Sequence, residues 1–322
     1  MTHFHPQILT ATNASEIESV SAIQELWAGY GAIVRIKLKG GNFPSVVAKH
    51  IKLSRTGNHP RNWGTRFAHQ RKIKSYEVEL HWYTHYAQQY NAACVTPKCL
   101  GVFEQGDEKL LLLEDLNASG YSLRRKGLLV DEAKIVLAWL ANFHAVYMHK
   151  QPKGLWEQGT YWHLATRPDE HEKMEAGALK NQATYIDQVL QGCVYQTIVH
   201  GDAKLANFCF SEDMQKVAAV DFQYVGGGCG MKDVVYFLGS SLDEHTCRLH
   251  EEELLSHYFD QLQKALAVCH PSMKAQDVEK EYRSLYAIAW TDFTRFLMGW
   301  MPTHHKLNDY SKALMDRVLK ES

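Results

Sequence analysis

Apolar and polar positions change rhythm along this chain. Over the first 115 residues the apolar positions come mostly in short runs bounded by glycine and polar turns. These are Ile33-Val34-Arg35-Ile36-Lys37-Leu38, Ser45-Val46-Val47-Ala48-Lys49-His50-Ile51 and Leu110-Leu111-Leu112-Leu113-Glu114-Asp115-Leu116. Runs of this length and composition predict strands, and Gly40-Gly41-Asn42 predicts the turn between the second and third strands. One helix interrupts them, from Lys74 to Tyr90, with Tyr76, Leu80, Tyr83 and Ala87 at helical spacing. After the turn-rich break Asn117-Ala118-Ser119-Gly120 the rhythm becomes helical. Asp131 to His149 carries Ala133, Val136, Leu137, Leu140, Ala141, His144 and Ala145 along one face, and Tyr282 to Trp300 predicts a helix or helix pair.

Between those helices a strand pattern returns, and chemistry comes with it. Thr197-Ile198-Val199 predicts a short strand that delivers His200-Gly201-Asp202 to a loop, and Asn207-Phe208-Cys209-Phe210 predicts the next. Ser211 to Lys216 is a polar turn, and Val217-Ala218-Ala219-Val220 is a second apolar run ending at Asp221. Such a hairpin returns the chain and brings Asn207 and Asp221 to one edge. Each of these polar residues alone is an ordinary turn former. Together they have the composition of a phosphoryl-transfer site, in which one Asp accepts or orients the proton of an attacking hydroxyl while an Asn and a second Asp hold magnesium. Oxygen ligands suit that ion, and His or Cys is not expected.

With these residues quoted, the stretch from Val199 to Gly239 resembles the aminoglycoside phosphotransferase and choline kinase superfamily, whose loop reads His-Gly-Asp-x-x-x-x-Asn. Within it the chain is most similar to the ecdysteroid-kinase-like group and its bacterial relatives. The resemblance implies an α+β, bilobal protein-kinase-like fold. A small nucleotide-binding lobe over 1–115 would hold an antiparallel sheet plus one helix, and a larger, mainly helical lobe over 116–322 would carry catalysis and the acceptor. It implies an ATP-dependent small-molecule kinase that phosphorylates a hydroxyl of an amino alcohol, aminoglycoside, steroid or similar acceptor, with ATP and Mg2+ as cofactors. Asp202 would be the catalytic base, and Asn207 and Asp221 the metal ligands.

The resemblance also makes demands upstream. Lys49 is similar to the family's third-strand lysine, although a lysine amid valines can also be an edge charge that blocks aggregation. Its partner would be Glu79, because Tyr76-x-x-Glu79-x-x-Trp82-Tyr83 resembles the relatives' Phe-x-x-Glu-x-x-Phe-Tyr. Glu77 competes and lies about 200° away around the helix, so only one of the two can face the lysine. By position, Glu114 and Leu116 would offer backbone groups to adenine. Asp233 would brace the catalytic loop, or cap the helix that follows it. Trp27 to Ala32 is either a small-residue loop that lets backbone amides approach phosphate oxygens, as a kinase glycine-rich loop does, or a simple hairpin turn. Gly226-Gly227-Gly228-Cys229-Gly230 occupies the place of an activation segment, where that glycine density predicts a mobile or tightly turning loop.

Composition narrows the rest. Lys and Arg number 35 against 36 Asp and Glu, a balance that supports neither a nucleic-acid nor an anionic-membrane partner. Seven cysteines, none in a Cys-x-x-Cys pair, argue against a disulfide framework or structural zinc. No secretory segment opens the sequence and no run approaches the roughly 20 apolar residues of a membrane span, so a cytoplasmic protein is expected.

Three features keep two readings each. His81 and His85 share a helical face as zinc pairs do, but Trp82 stands where a metalloprotease needs Glu. The basic stretch Arg55 to Lys74 supplies Arg61, Arg66, Arg71 and Lys72 for nucleotide phosphates or an anionic substrate, or is a solvated face. Tyr286, Trp290, Phe293, Phe296 and Trp300, with Asp292 and Arg295 among them, hold a cationic amine or form core. Among whole-chain alternatives, a nucleotide-binding pseudokinase or scaffold and a protein kinase stay open. The latter is disfavoured because no Ala-Pro-Glu follows Asp221-Phe222-Gln223.

Overall fold

The computed structural model describes residues 1–26, 29–53, 66–87 and 93–321. In chain order its elements are α1 (His5–Thr12), β1 (Glu16–Glu25), β2 (Gly31–Lys39), β3 (Ser45–Lys52), α2 (Arg66–His85), β4 (Cys99–Gln105), β5 (Glu108–Glu114), α3 (Val130–Val146), α4 (Pro168–Lys173), α5 (Ala178–Gln191), β6 (Thr197–Val199), β7 (Phe208–Phe210), β8 (Val217–Ala219), β9 (Gly226–Gly228), α6 (Met231–Ser241), α7 (Glu244–Cys269), α8 (Ala275–Trp300) and α9 (Asp309–Glu321). They form two compact units. The first comprises Met1–Asn91, Val95–Leu123 and Cys209–Gln223; the second comprises Ala92–Cys94, Arg124–Phe208 and Tyr224–Ser322.

The first unit is built on a five-stranded sheet in the order β1-β2-β3-β5-β4, antiparallel throughout. Period-two alternation puts Val34, Ile36 and Leu38 of β2 on one face, with Val46 and Ala48 of β3 and Leu110 and Leu112 of β5. Phe4, just before α1, and Ile8 within it close over that face, both fully buried. β1 is almost entirely exposed and carries Glu16, Glu18 and Glu25, which suits a charged edge strand. Lys49 sits in β3, a central strand between Ile33 of β2 and Leu111 of β5, and therefore is no edge charge.

Two helices begin earlier than apolar spacing indicates. α2 starts by Arg66 rather than Lys74, and α8 starts at Ala275 rather than Tyr282. Both added turns are rich in Ala, Gln, Lys, Arg or Glu, which favour helix without contributing an apolar stripe. α2 ends at His85, with the Tyr86 and Ala87 amides both bonded to the Trp82 carbonyl. The expected extension to Tyr90 runs beyond the described residues.

In the second unit the glycine stretch after Asp221 forms a strand rather than a free loop, since Gly226–Gly228 pairs antiparallel with Thr197–Val199. A Cβ at Gly226 would lie 2.2 Å from the Trp156 carbonyl oxygen. Glycine is required there for close backbone approach, and mobility does not enter. Around this pair the helices supply the core, with Val136, Leu137 and Leu140 of α3 and Leu254, Tyr258 and Leu262 of α7 all buried. Among the described residues no helix is long and apolar enough to cross a membrane.

Candidate functional site

Charged groups meet on the first unit where β3, α2 and the end of the β7–β8 hairpin supply one side chain each. Lys49 Nζ donates to Glu79 Oε2 at 2.6 Å and lies 3.5 Å from Asp221 Oδ1. The Lys49 and Glu79 side chains are 5% and 3% exposed, so the pair is out of water, while Asp221 is 32% exposed and keeps an open side. Burial by itself would pull the Lys49 ammonium down. The Glu79 and Asp221 carboxylates outweigh it and hold its pKa above the ordinary value. Glu77 is exposed, which settles the competition between the two glutamates geometrically.

Asp221 itself has φ +69°, a left-handed conformation that Asp tolerates better than most residues. Gln223 holds it there by donating to Asp221 Oδ1 and accepting from Lys72 Nζ at 2.7 Å and Ser75 Oγ at 3.2 Å. Gln223 thus joins α2 to the metal-ligand candidate, a role its position after Asp-Phe leaves unmarked in the sequence. Of the basic segment, Arg61 and the Arg66 side chain lie outside the described residues, as do Trp27 and Ala28 of the small-residue loop. Arg71 lies 5.9 Å from the Phe67 ring centroid.

At the expected hinge, a backbone group of each residue is engaged. The Glu114 amide donates to the Lys98 carbonyl, and the Leu116 carbonyl accepts from the Ser119 and Tyr121 amides. The Glu114 carboxylate accepts from Ser119 Oγ at 2.6 Å and from the Lys98 amide at 3.1 Å. Between them Asp115 turns inward, accepting from Arg35 Nε at 2.7 Å, Ser45 Oγ at 2.7 Å and the Asn117 amide at 3.1 Å. Burial works against its ionisation, but the Arg35 and Ser45 donors prevail and hold the carboxyl below the usual range.

The second unit holds Asp202 and Asn207. Asn207 Nδ2 donates to the Asp202 carbonyl at 2.8 Å and to its Oδ2 at 3.1 Å, and Lys204 Nζ donates to the same Oδ2 at 2.9 Å. No donor among the described residues reaches Asn207 Oδ1, so the oxygen that a hard cation takes is not spent within the protein. The donor chemistry of Asn207 and of half-exposed Asp221 fits magnesium. Beneath the loop, fully buried Asp233 accepts the His200 amide at 2.6 Å and the Gly201 amide at 2.9 Å. It is the third residue of α6 and does not cap it. His144 completes the brace, with Nε2 3.2 Å from Asp233 and Nδ1 2.8 Å from the Tyr258 hydroxyl. Gly201 has φ +79°, and a Cβ there would sit 1.9 Å from the Tyr224 carbonyl oxygen.

Asp292 corrects one expectation. It is fully buried and bound to Arg295 at 2.8 Å with Lys232 at 3.8 Å, so it offers no carboxylate to an incoming amine. Tyr286, Trp290, Phe293 and Phe296 are buried core residues, and of that aromatic row Trp300 alone is exposed. His81 and His85 stack with ring centroids 4.1 Å apart, and no third ligand joins them among the described residues. The group there with metal-like spacing is His3, His50 and Glu108, already linked by contacts of 3.2 and 2.6 Å to the glutamate.

Comparison with known proteins follows the same lines. The ecdysteroid kinase-like family matches residues 64–157 and 158–271. No curated protein matches the sequence. Among solved structures, a microcompartment-associated aminopropanol kinase superposes with a TM-score of 0.54 at 14% identity, covering 100% of this chain and 98% of that one. An aminoglycoside phosphotransferase from Streptomyces rimosus, solved with ADP and streptomycin, gives 0.51 at 12% identity over 92% and 97%. A Plasmodium vivax ethanolamine kinase gives 0.51 at 8% identity over 99% and 89%. At these identities the likeness establishes a shared α+β, protein-kinase-like fold.

Proposed function

The chain belongs to the ecdysteroid kinase-like family, and from that premise we propose that it uses ATP to phosphorylate a hydroxyl group of a small organic molecule. The observation that carries the reading is the buried Lys49–Glu79 pair with Asp221 3.5 Å from the same ammonium. A lysine kept charged out of water by two carboxylates is suited to placing the nucleotide's phosphates. Asn207 and Asp221 would hold Mg2+, which when bound neutralises charge on the phosphate oxygens. The Glu114 carbonyl and Leu116 amide would face adenine.

On the acceptor side, Asp202 would orient the hydroxyl and take its proton. Lys204 and Asn207 both donate to Oδ2 and so fix the plane of that carboxylate. The brace from Asp233 holds the loop at the backbone, so Asp202 needs no rearrangement when the acceptor arrives. Beyond that proton transfer, positioning and charge neutralisation are most of the protein's contribution to such a reaction.

Thermal unfolding with magnesium and ATP tests the nucleotide half. A ligand near a hundredfold above its dissociation constant adds about 2.7 kcal/mol, which gives a visible rise in Tm. The rise should require magnesium and should vanish in Asp221→Ala. Asp202→Asn should keep it while losing acceptor-dependent ADP release. No rise at saturating ATP in the wild type would refute the nucleotide site, and normal ADP release by Asp202→Asn would refute the base.

A further inference from the structure

An acceptor hydroxyl must come beside Asp202, so the side chains around that carboxylate decide what kind of molecule can bring it. In the second unit those neighbours are aromatic and cationic. Tyr236, from α6, lies against Asp202: burial first, and then the Asp202 charge, raises its hydroxyl well above the ordinary phenol value. The Tyr161 hydroxyl donates to Tyr236 at 3.1 Å. Behind them stand Phe296, 5.4 Å from the Tyr161 ring, and Phe293, 4.9 Å from the Tyr236 ring. Two cations lie over these faces. The Arg167 guanidinium is 5.4 Å from the Tyr161 and Phe296 centroids, and Lys306 Nζ is 5.1 Å from Tyr236 and 5.6 Å from Phe293.

Among the described residues of this region each of three carboxylates has a cation of its own. Asp202 has Lys204 at 2.9 Å, Glu170 has Arg167 at 3.3 Å, and Asp292 has Arg295 at 2.8 Å with Lys232 at 3.8 Å. Lys306 is the opposite case. Among the described residues no carboxylate or other acceptor lies within bonding distance of its Nζ, which meets only two ring faces. Burial lowers this ammonium to about 8, with Asp202 pulling upward and Lys204 downward. A half-buried cation beside the candidate base, with no carboxylate among the described residues in bonding contact, is arranged to receive one from outside.

Resting on the kinase reading, we infer that the acceptor carries an oxyanion, a carboxylate or an ester of phosphate or sulfate, close to the hydroxyl that is phosphorylated, and that Lys306 binds it. An amino alcohol would find these three carboxylates neutralised and would meet a like charge at Lys306. Lys306 lies between α8 and α9 and its backbone, not its side chain, makes the local contacts: its amide donates to His304 Nδ1 and its carbonyl accepts from Ser311. Substituting the side chain therefore leaves the turn intact.

The test measures ADP release from magnesium–ATP with three acceptor panels matched in carbon skeleton: hydroxy acids, neutral polyols and amino alcohols. The wild type should prefer hydroxy acids. Lys306→Met should lower their kcat/KM about tenfold or more, mainly through KM, as loss of a charge-assisted hydrogen bond does. Lys306→Glu should shift the preference toward amino alcohols. Amino alcohols preferred by the wild type, no preference among the panels, or unchanged hydroxy-acid kinetics in Lys306→Met would each overturn the inference. If magnesium–ATP raises Tm but the panels show no preference, only the assignment of acceptor class falls; if magnesium–ATP produces no rise, the kinase reading beneath it falls too.

Discussion

In the first unit Lys49, Glu79 and Asp221 are held by one another, whereas in the second unit Asp202 takes its place from a loop whose backbone amides are tied to Asp233. The two arrangements use the same kinds of charge in different ways. Lys49 and Glu79 are both functional candidates and both structural, since each is the other's counter-ion in a nearly dry site. Asp202 and Asp233 divide those tasks. Asp233 is fully buried and holds the loop, which leaves Asp202 for the proposed acceptor. Stability and activity should therefore be inseparable in the first site and separable in the second.

The largest expected effect tests the first half of that contrast. Glu79→Ala leaves Lys49 buried with only Asp221 nearby, and removal of one partner from a buried ion pair costs about 3–5 kcal/mol. Urea unfolding should show this loss, and the double variant Lys49→Met, Glu79→Leu should recover most of it while remaining inactive. A double variant as unstable as the single one would show that the pair is not self-contained.

A smaller effect tests the second half. Asp233→Asn retains the shape but turns a donor toward amides that need acceptors, an unsatisfied contact that costs roughly 1–3 kcal/mol. Turnover should fall further than stability does, because Asp202 rides on the two amides concerned. Unchanged kcat in a destabilised Asp233→Asn protein would break the comparison, by showing that the brace does not orient the base.

The smallest effect concerns Asp115, which ties β5 to Arg35 in the first unit. Its folded pKa is depressed, chiefly by Arg35 and Ser45 prevailing over burial. Its contribution is thus complete above the ordinary value of 3.8 and is lost as pH falls through the lower folded value. Comparing Asp115→Asn with the wild type by unfolding across that range should show a wild-type advantage at neutral pH that disappears in acid. An advantage that persists there would mean that the Arg35 pair does not set the ionisation.

Much of this was legible in advance, and for a local reason. Strand and helix rhythms report one element at a time, so β2, β3, β5, α3 and the short strands around Asp202 could be read directly. The spacing of Asp202, Asn207 and Asp221 lies within one stretch of 20 residues. α1 and β1 were not legible, because α1 is short and fully buries Ile8 and Thr12 without a longer apolar stripe, and an exposed charged edge strand has no apolar signature.

Tertiary structure decided whatever depends on segments far apart in the chain. Glu79 rather than Glu77 meets Lys49 because α2 turns one face to β3, and a rotation about a helix axis is not written in either segment alone. The Gly226–Gly228 stretch is a strand because it pairs with Thr197–Val199, and it needs glycine because Trp156 approaches from a more distant segment. Gln223 became a bridge only through Lys72 and Ser75, well over a hundred residues earlier. Lys306, a single lysine between two helices, acquires meaning only from the rings of Tyr236 and Phe293 beneath it. Periodicity and side-chain type are local, so the chain's letters alone disclosed most of the elements and the kinds of charge on offer. Which charges neutralise one another, and which one is left over, is a matter of distance in a low-dielectric interior, and only the folded chain sets those distances.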